Sequence, residues 1–393
     1  MRELGSGDVA WREGKAAVYL FDAGDEVEAV QKEAYALFMS ENGLGPSAFP
    51  SLRRMEADVV DFGLSLLGAP DGAVGNMTTG GTDSITMAMK AARDLARSEK
   101  KLAGPLNVVL PRSAHPAFDK AAALMEVEIR RTPLRDLLAD ADAMAAAADD
   151  RTIMIVGSAP CFPYGLIDPI EALSRLAVDR GLWLHVDACV GGYIAPFVRM
   201  NGADLPAFDF ALPGVASMSA DLHKYGYCAK GASTVFFRSE ALRRHMEFVV
   251  SDWPGGRMAT PTLAGTRPGG AIAAAWAVMR SLGVEGYRTK HAQVTGARER
   301  LEAGVRARGY EVLGRPQLGL VAFRKDGVDA VKLWKGLRAR GWFSSLTTEP
   351  ASLHLMLSPI HARVIDGYLE DVDRAEAELP RAGAGGTEPR YGG

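Results

Sequence analysis

The middle of the chain alternates short, wholly apolar runs with longer stretches that are apolar on one face only. Asn107–Leu110 (NVVL), Val127–Ile129, Thr152–Gly157 (TIMIVG) and Leu182–Val186 (LWLHV) read as strands. Helices are predicted from near His115–Pro116, over Asp136–Ala148, and up to Arg180. Two more strand-like runs, VASM and STVFF, bracket Ser219–Gly231 (SADLHKYGYCAKG), which carries glycines at Gly226 and Gly231. Short apolar strands separated by amphipathic helices predict an α/β fold with a mostly parallel sheet. In such folds ligands sit at the carboxyl ends of strands.

On the amino-terminal side, Val27–Ser40 has a helical pattern that Asn42, Gly43 and Gly45 bring to an end. Pro50-Ser51 opens a second helix with Ser51 as its expected cap and Met55, Val59, Phe62, Leu66 and Leu67 on its apolar face. Ile85–Ser98 is a third. Residues 240–268 hold too much glycine and proline for a regular helix, whereas Ala271–Met279 can form one. Beyond residue 285, helices are expected over Gly286–Arg308, Val328–Arg340 and His361–Leu379. Strands are expected at Tyr310–Leu313, Leu320–Arg324 and Leu353–Leu357. The expected organisation is an arm and helix over 1–50, a large domain over 51–284, a small α/β domain over 285–381 and a disordered tail over 382–393.

Composition narrows the function classes. The 393 residues are 48% hydrophobic and carry a formal charge of −3, so there is no general pull toward nucleic acid or anionic lipid. The three cysteines, Cys161, Cys189 and Cys228, form no close pair, which points to a reducing, cytoplasmic setting. No run approaches the roughly 20 apolar residues of a membrane span, and no ligand pair has zinc spacing, so neither a transmembrane anchor nor a metal is expected.

Four candidate groups fall just after predicted strands: His115, Ser158, Asp187 and Lys224. A lysine held in a turn and partly desolvated has its pKa lowered and becomes a nucleophile toward an aldehyde. Lys224 as such a lysine calls for pyridoxal phosphate. That cofactor needs a carboxylate at its ring nitrogen, and Asp187 at the end of LWLHVD fits. It needs a flat group over the ring, for which His115 is available. It needs a phosphate cradle. Asn76–Ser84 (NMTTGGTDS) places Gly80, Gly81 and Thr82 before a helix, either as such a cradle, with His223 or Ser219 beside it, or as a plain capping turn. His185 lies on the same strand face as Asp187 and reads as packing. Cys161 and Cys189 read as small buried residues.

Together these residues resemble the pyridoxal-phosphate-dependent group II decarboxylase family, most closely its aldehyde-lyase branch. The matching stretches include AFPSLRRMEADVV, NMTTGGTDSI, SAHPAFDKAA, VGSAPCFPYGLIDPI, LHVDACVGGY, SADLHKYG and PTLAGTRPG, spread from about residue 17 to residue 369. The resemblance implies the aspartate-aminotransferase-like type I fold, with a mostly parallel seven-stranded sheet, active as a homodimer with composite sites. It implies that Lys224 bears the cofactor, that Asp187 meets the pyridine nitrogen and that His115 stacks on the ring. Gly81 and Thr82 then belong to the phosphate cradle, Gly265 and Thr266 to a loop contributed across the dimer, and Tyr19 to an arm that looks toward the site. Lys230 and Arg267 would hold a substrate phosphate. The implied reaction is retro-aldol cleavage of a phosphorylated long-chain 2-amino-3-hydroxy compound such as sphingosine 1-phosphate. The alternative is α-decarboxylation of an aromatic or acidic amino acid. The chain departs from the family pattern at Gly45, where a histidine is usual, at Asp83 for glutamate, at Cys161 for asparagine and at Ala229 for proline. These changes lie in loops and point to the substrate range.

Overall fold

The computed structural model describes residues 4–379. The expected disordered tail, 382–393, lies outside the described residues. Residues 26–162 and 166–286 form one compact unit, and residues 4–25, 163–165 and 287–379 form another.

The larger unit is built on seven strands: β1 (Val74–Thr78), β2 (Leu106–Pro111), β3 (Val127–Thr132), β4 (Thr152–Ser158), β5 (Trp183–Asp187), β6 (Val215–Ala220) and β7 (Ser233–Phe237). Their order is β1-β7-β6-β5-β4-β2-β3. Pairs from β3 through β6 are parallel, and β7 runs antiparallel to both β6 and β1. This is the mostly parallel sheet of the type I fold. β2, β4 and β5 are buried along their whole length, because helices cover both faces and leave no polar side. The helix Gly81–Ser98 alone buries ten residues, among them Ile85, Met87 and Met89. The chain leaves β2 for β3 on one side and returns to β4 on the other. In a sheet of this kind such a reversal is where ligands sit, here at the carboxyl end of β2, beside the turn that carries His115.

The smaller unit has a four-stranded antiparallel sheet in the order Glu311–Val312, Leu320–Arg324, Ala351–Met356, Ser345–Thr348. The helices Ala330–Ala339 and Ile365–Ala377 each bury one face. The helix Gly269–Ala307 is interrupted at Gly283, whose φ of 54° and ψ of −173° are not helical.

Several local expectations are corrected. The helix expected over Asp136–Ala148 begins only at Ala141. Asp136 and Leu137 take positive φ (54° and 67°) in the tight turn of a small hairpin, Leu134–Arg135 with Leu138–Ala139. Asp140 then caps the helix by accepting from the Asp142 and Ala143 amides. Ser51 is not a cap: Pro50 sits in the first turn and Phe49 precedes it with no side-chain bond. The strands Val74–Thr78 and Ser345–Thr348 were not expected, since VGNMT and SLTT lack a strong apolar pattern and pair only because a neighbouring strand is already in place.

Candidate active site

The carboxyl ends of β5 and β6 hold a group of buried polar side chains, Asp187, Ser219 and Asp221. Asp187 is the last residue of β5 and pairs across the ladder with Ser219 of β6. Its Oδ1 accepts from the Cys189 amide (3.1 Å) and from Ser219 Oγ (3.3 Å). Two pairs deeper in the ladder, His185 meets Ser217 Oγ through Nδ1 (2.8 Å) and Ser219 Oγ through Nε2 (3.3 Å), and its ring stands edge-on to Phe118. Ser219 therefore orients Asp187. Cys189 Sγ donates to the same hydroxyl (3.3 Å), and burial pushes its thiol well above the ordinary range, so it is inert packing.

After β6 the chain makes two successive turns. The Lys224 amide donates to Asp221 O and the Tyr227 amide to Lys224 O. The loop is anchored by the His223 amide and His223 Nδ1, both donating to Ala232 O (3.0 and 2.9 Å). Lys224 Nζ lies 2.9 Å from Asp221 Oδ2, and His223 Nε2 is 3.7 Å from the same oxygen. The expected lowering of the Lys224 pKa is not what this geometry produces. Burial does disfavour the charge, but Asp221, with Asp187 behind it, outweighs burial and holds the amine above the ordinary lysine value. Asp221 was missed in the sequence. The signal was present as an acid three residues before a lysine in a turn.

His115 stands in the turn between β2 and the helix Ala117–Met125, with Nδ1 accepting from the Ala117 amide (3.1 Å). That bond fixes the ring and leaves any proton on Nε2. Burial pulls its pKa down, against the fields of Asp187 and Asp221, and the Lys224 charge pulls the same way as burial. The imidazole is therefore a neutral plate. The fourth strand end is β1. There Asp83 Oδ2 accepts from the Thr79 amide and Thr79 Oγ1 (both 3.0 Å), while Oδ1 accepts from the Leu263 amide (3.3 Å). The shorter acid at this position thus ties the Gly80–Thr82 turn to the 261–268 loop, a role the sequence did not reveal. The helix Gly81–Ser98 starts earlier than expected, so Gly81 and Thr82 are its first residues and Gly80 precedes it without a capping side chain. A Cβ on Gly80 would meet nothing within 4 Å, whereas one on Gly81 would lie 2.8 Å from Cys189 Sγ and 2.9 Å from Asp221 Oδ2. A glycine pair at the start of a helix, with open space beside Gly80, suits a phosphate.

Not every expected residue joins this group. Arg267 is buried, with Nη1 2.6 Å from Glu56 Oε1 and Nη2 donating to Gly43 O (3.0 Å). Its guanidinium is an internal brace. Replacing Arg267 by alanine leaves Glu56 without its cation and is expected to cost about 3–5 kcal/mol in denaturant unfolding. Arg267→Met combined with Glu56→Gln should recover part of that loss. Thr266 Oγ1 accepts from Asn42 Nδ2 (3.3 Å), and Gly265 lies in the same loop. Lys230 is exposed, yet its Nζ donates to His223 O (3.0 Å) and its charge faces that of Lys224 in the same loop. Tyr19 belongs to the other compact unit, is 46% exposed, and tilts against Phe343.

Buried groups also set how stability follows pH. Burial pulls His185 and His361 from 6.5 down to about 4. Burial pushes Asp168 from 3.8 up to about 6, even though the Ala139 and Ser158 amides donate to it. The neutral histidines contribute stability that is present above pH 6.5 and lost as pH falls through 4, where the unfolded chain binds the extra protons. Asp168 has the opposite sign: its contribution is full below 3.8 and is lost as pH rises through 6. Two histidines outweigh one carboxyl. The melting temperature is expected to fall between pH 6.5 and 4 in circular-dichroism melts, and Asp168→Asn should steepen that fall.

Asp187, Lys224, His115 and a helix-start turn, gathered by the strand ends of a mostly parallel seven-stranded sheet, define the class of type I pyridoxal-phosphate enzymes. The pyridoxal-dependent decarboxylase conserved domain matches residues 4–326. The chain is 39% identical over 406 residues to a sphingosine-1-phosphate lyase of Oryza sativa, covering all of this chain and 75% of that protein. It is likewise 39% identical over 401 residues to sphingosine-1-phosphate lyase 1 of Rattus norvegicus, covering 70% of it. A solved sphingosine-1-phosphate lyase of Burkholderia pseudomallei superposes with a TM-score of 0.90 at 40% identity, over 93% of this chain and 86% of that one. The chain belongs to the pyridoxal-dependent decarboxylase family and is an enzyme whose cofactor is pyridoxal phosphate. Among the described residues no helix is long and apolar enough to cross a membrane.

Proposed function

We propose that this enzyme is a carbon–carbon lyase. It would split a phosphorylated long-chain 2-amino-3-hydroxy compound such as sphingosine 1-phosphate between C2 and C3, giving a fatty aldehyde and phosphoethanolamine. The observation that carries the reading is 39% identity to sphingosine-1-phosphate lyases over the full length of the chain. When bound, the cofactor supplies a protonated pyridine ring that accepts the electron pair freed as the carbon–carbon bond breaks. Asp187, fixed by the Cys189 amide and Ser219 Oγ, holds the proton on the ring nitrogen. His115, neutral and anchored through Nδ1, would offer its flat ring to the cofactor. The Gly80–Thr82 turn and His223 take the phosphate, with the helix amides as donors. Lys224 would hold the cofactor, and its Nζ, when free, would carry a proton within reach of the substrate carbon.

The family's name favours a second reading, loss of carbon dioxide from an amino acid. The same residues would serve it, with a carboxylate in place of the hydroxyl-bearing carbon. Incubation with sphingosine 1-phosphate and, separately, with aromatic and acidic amino acids separates the two. A long-chain aldehyde supports the lyase. Carbon dioxide from an amino acid, with no aldehyde from the phosphorylated amino alcohol, overturns it. We also read the enzyme as a homodimer in which the loop holding Gly265 and Thr266 reaches the partner's site; sedimentation equilibrium checks the assembly state.

A further inference from the structure

We propose that Asp221 is the counter-ion that keeps Lys224 an ammonium whenever that lysine is detached from the cofactor, and that it thereby sets the pH at which the lysine can attach. The inference rests on the reading of Lys224 given above. Asp221 and Lys224 sit three residues apart on one turn, with Oδ2 2.9 Å from Nζ. The aspartate is 2% exposed. Its other oxygen, Oδ1, is buried and has no hydrogen-bond partner at ordinary distance and angle. The carboxylate lies against Gly81, the first residue of an 18-residue helix, where a Cβ would come within 2.9 Å of Oδ2. The positive end of that helix favours the negative charge. A buried lysine without a partner settles in the neutral form, whereas one held by a buried carboxylate stays charged.

The other ionisable groups around the amine do not duplicate this one. From its own loop it faces His223 and Lys230, which repel or ignore an ammonium. From the end of β5 and the turn after it come Asp187, already held by an amide and a hydroxyl, and Cys189, whose thiol burial keeps protonated. From the turn after β2 comes His115. Asp221 is the carboxylate in ion-pair contact with Nζ.

Attachment joins the lysine nitrogen to the aldehyde carbon of the cofactor and expels one water. It needs the nitrogen lone pair, so the ammonium must first give up its proton to solvent. A counter-ion that favours the ammonium therefore slows attachment at neutral pH and moves its onset upward. The same counter-ion keeps the displaced lysine loaded with the proton that the reaction returns to carbon.

The test follows the growth of the visible band of the lysine-bound cofactor after pyridoxal phosphate is added to full-length, cofactor-stripped protein, across pH 6 to 10. Asp221→Asn keeps the size of the side chain and removes the charge. Its attachment midpoint is expected to move down by about one pH unit or more, which is about tenfold faster attachment at pH 7. A uniform slowing with the midpoint unmoved, as a purely structural role would give, overturns the proposal. Should the variant fail to fold, the wild-type protein decides. Acylation of Lys224 in the stripped protein, located by peptide mass spectrometry, should have a pH midpoint above that of free lysine, and a midpoint at or below it overturns the proposal. Absence of any visible band in the wild-type protein would overturn the reading of Lys224 itself, and this inference with it. That result is distinct from a band that forms with unmoved pH dependence.

Discussion

Lys224→Ala is expected to remove the visible absorbance of the cofactor-loaded protein and to lower turnover by about a thousandfold or more. The side chain is part-buried just after β6 and is aimed by two turns and the Ala232 carbonyl anchor. Deleting it removes both the attachment point and the proton carrier, and no other amine takes its place. Lys230 does not, since its Nζ donates to His223 O at the surface. The substitution leaves Asp221 as an unpaired carboxylate, so the melting temperature of Lys224→Ala should fall as pH rises past the carboxylate range. Spectra, single-turnover product analysis and melts at pH 5 and 8 check the three parts. Retention of the band in Lys224→Ala would sink the assignment.

Asp187→Ala is expected to fall nearly as far, by about 10²–10⁴-fold in turnover, with cofactor binding weakened less. A pyridine nitrogen that loses its carboxylate partner in a buried site gives up its proton, and with it the ability to accept an electron pair. Asp187→Asn gives a sharper reading, since it keeps the size of the group and the contact with Ser219 while removing the charge. A loss in turnover with an unchanged Michaelis constant is the expected signature of an interaction that matters only as charge develops. If Asp187→Asn turns over normally, the buried carboxylate is structural and the ring nitrogen is served elsewhere.

Much of this site was legible because each part carries its own local signal. LWLHVD is an apolar run ending on an acid, and a buried strand that ends in a carboxylate is hard to explain by packing alone. SAHP puts a histidine where a strand gives way to a helix. SADLHKYG places a lysine in a turn between two strands. What remained unread were interactions between segments far apart in the chain. Arg267 looked available for a phosphate, and only the packing of the helix Pro50–Leu66 shows Glu56 occupying it. Ser219 looked like a phosphate donor, and the β5–β6 register turns it toward Asp187. Asp83 looked like a shortened acid of uncertain consequence, yet its two oxygens join residues 79 and 263.

The chain by itself determined the α/β alternation, the order of the elements and the residue types at the strand ends, because these follow from local periodicity and from which side chains tolerate burial. Tertiary structure alone decided the charge state of Lys224. Desolvation, which the sequence suggested, lowers a lysine's pKa; a buried carboxylate at 2.9 Å raises it, and here the carboxylate prevails. Which of two opposing terms wins depends on distance and dielectric, and neither exists until the turn is folded against the sheet.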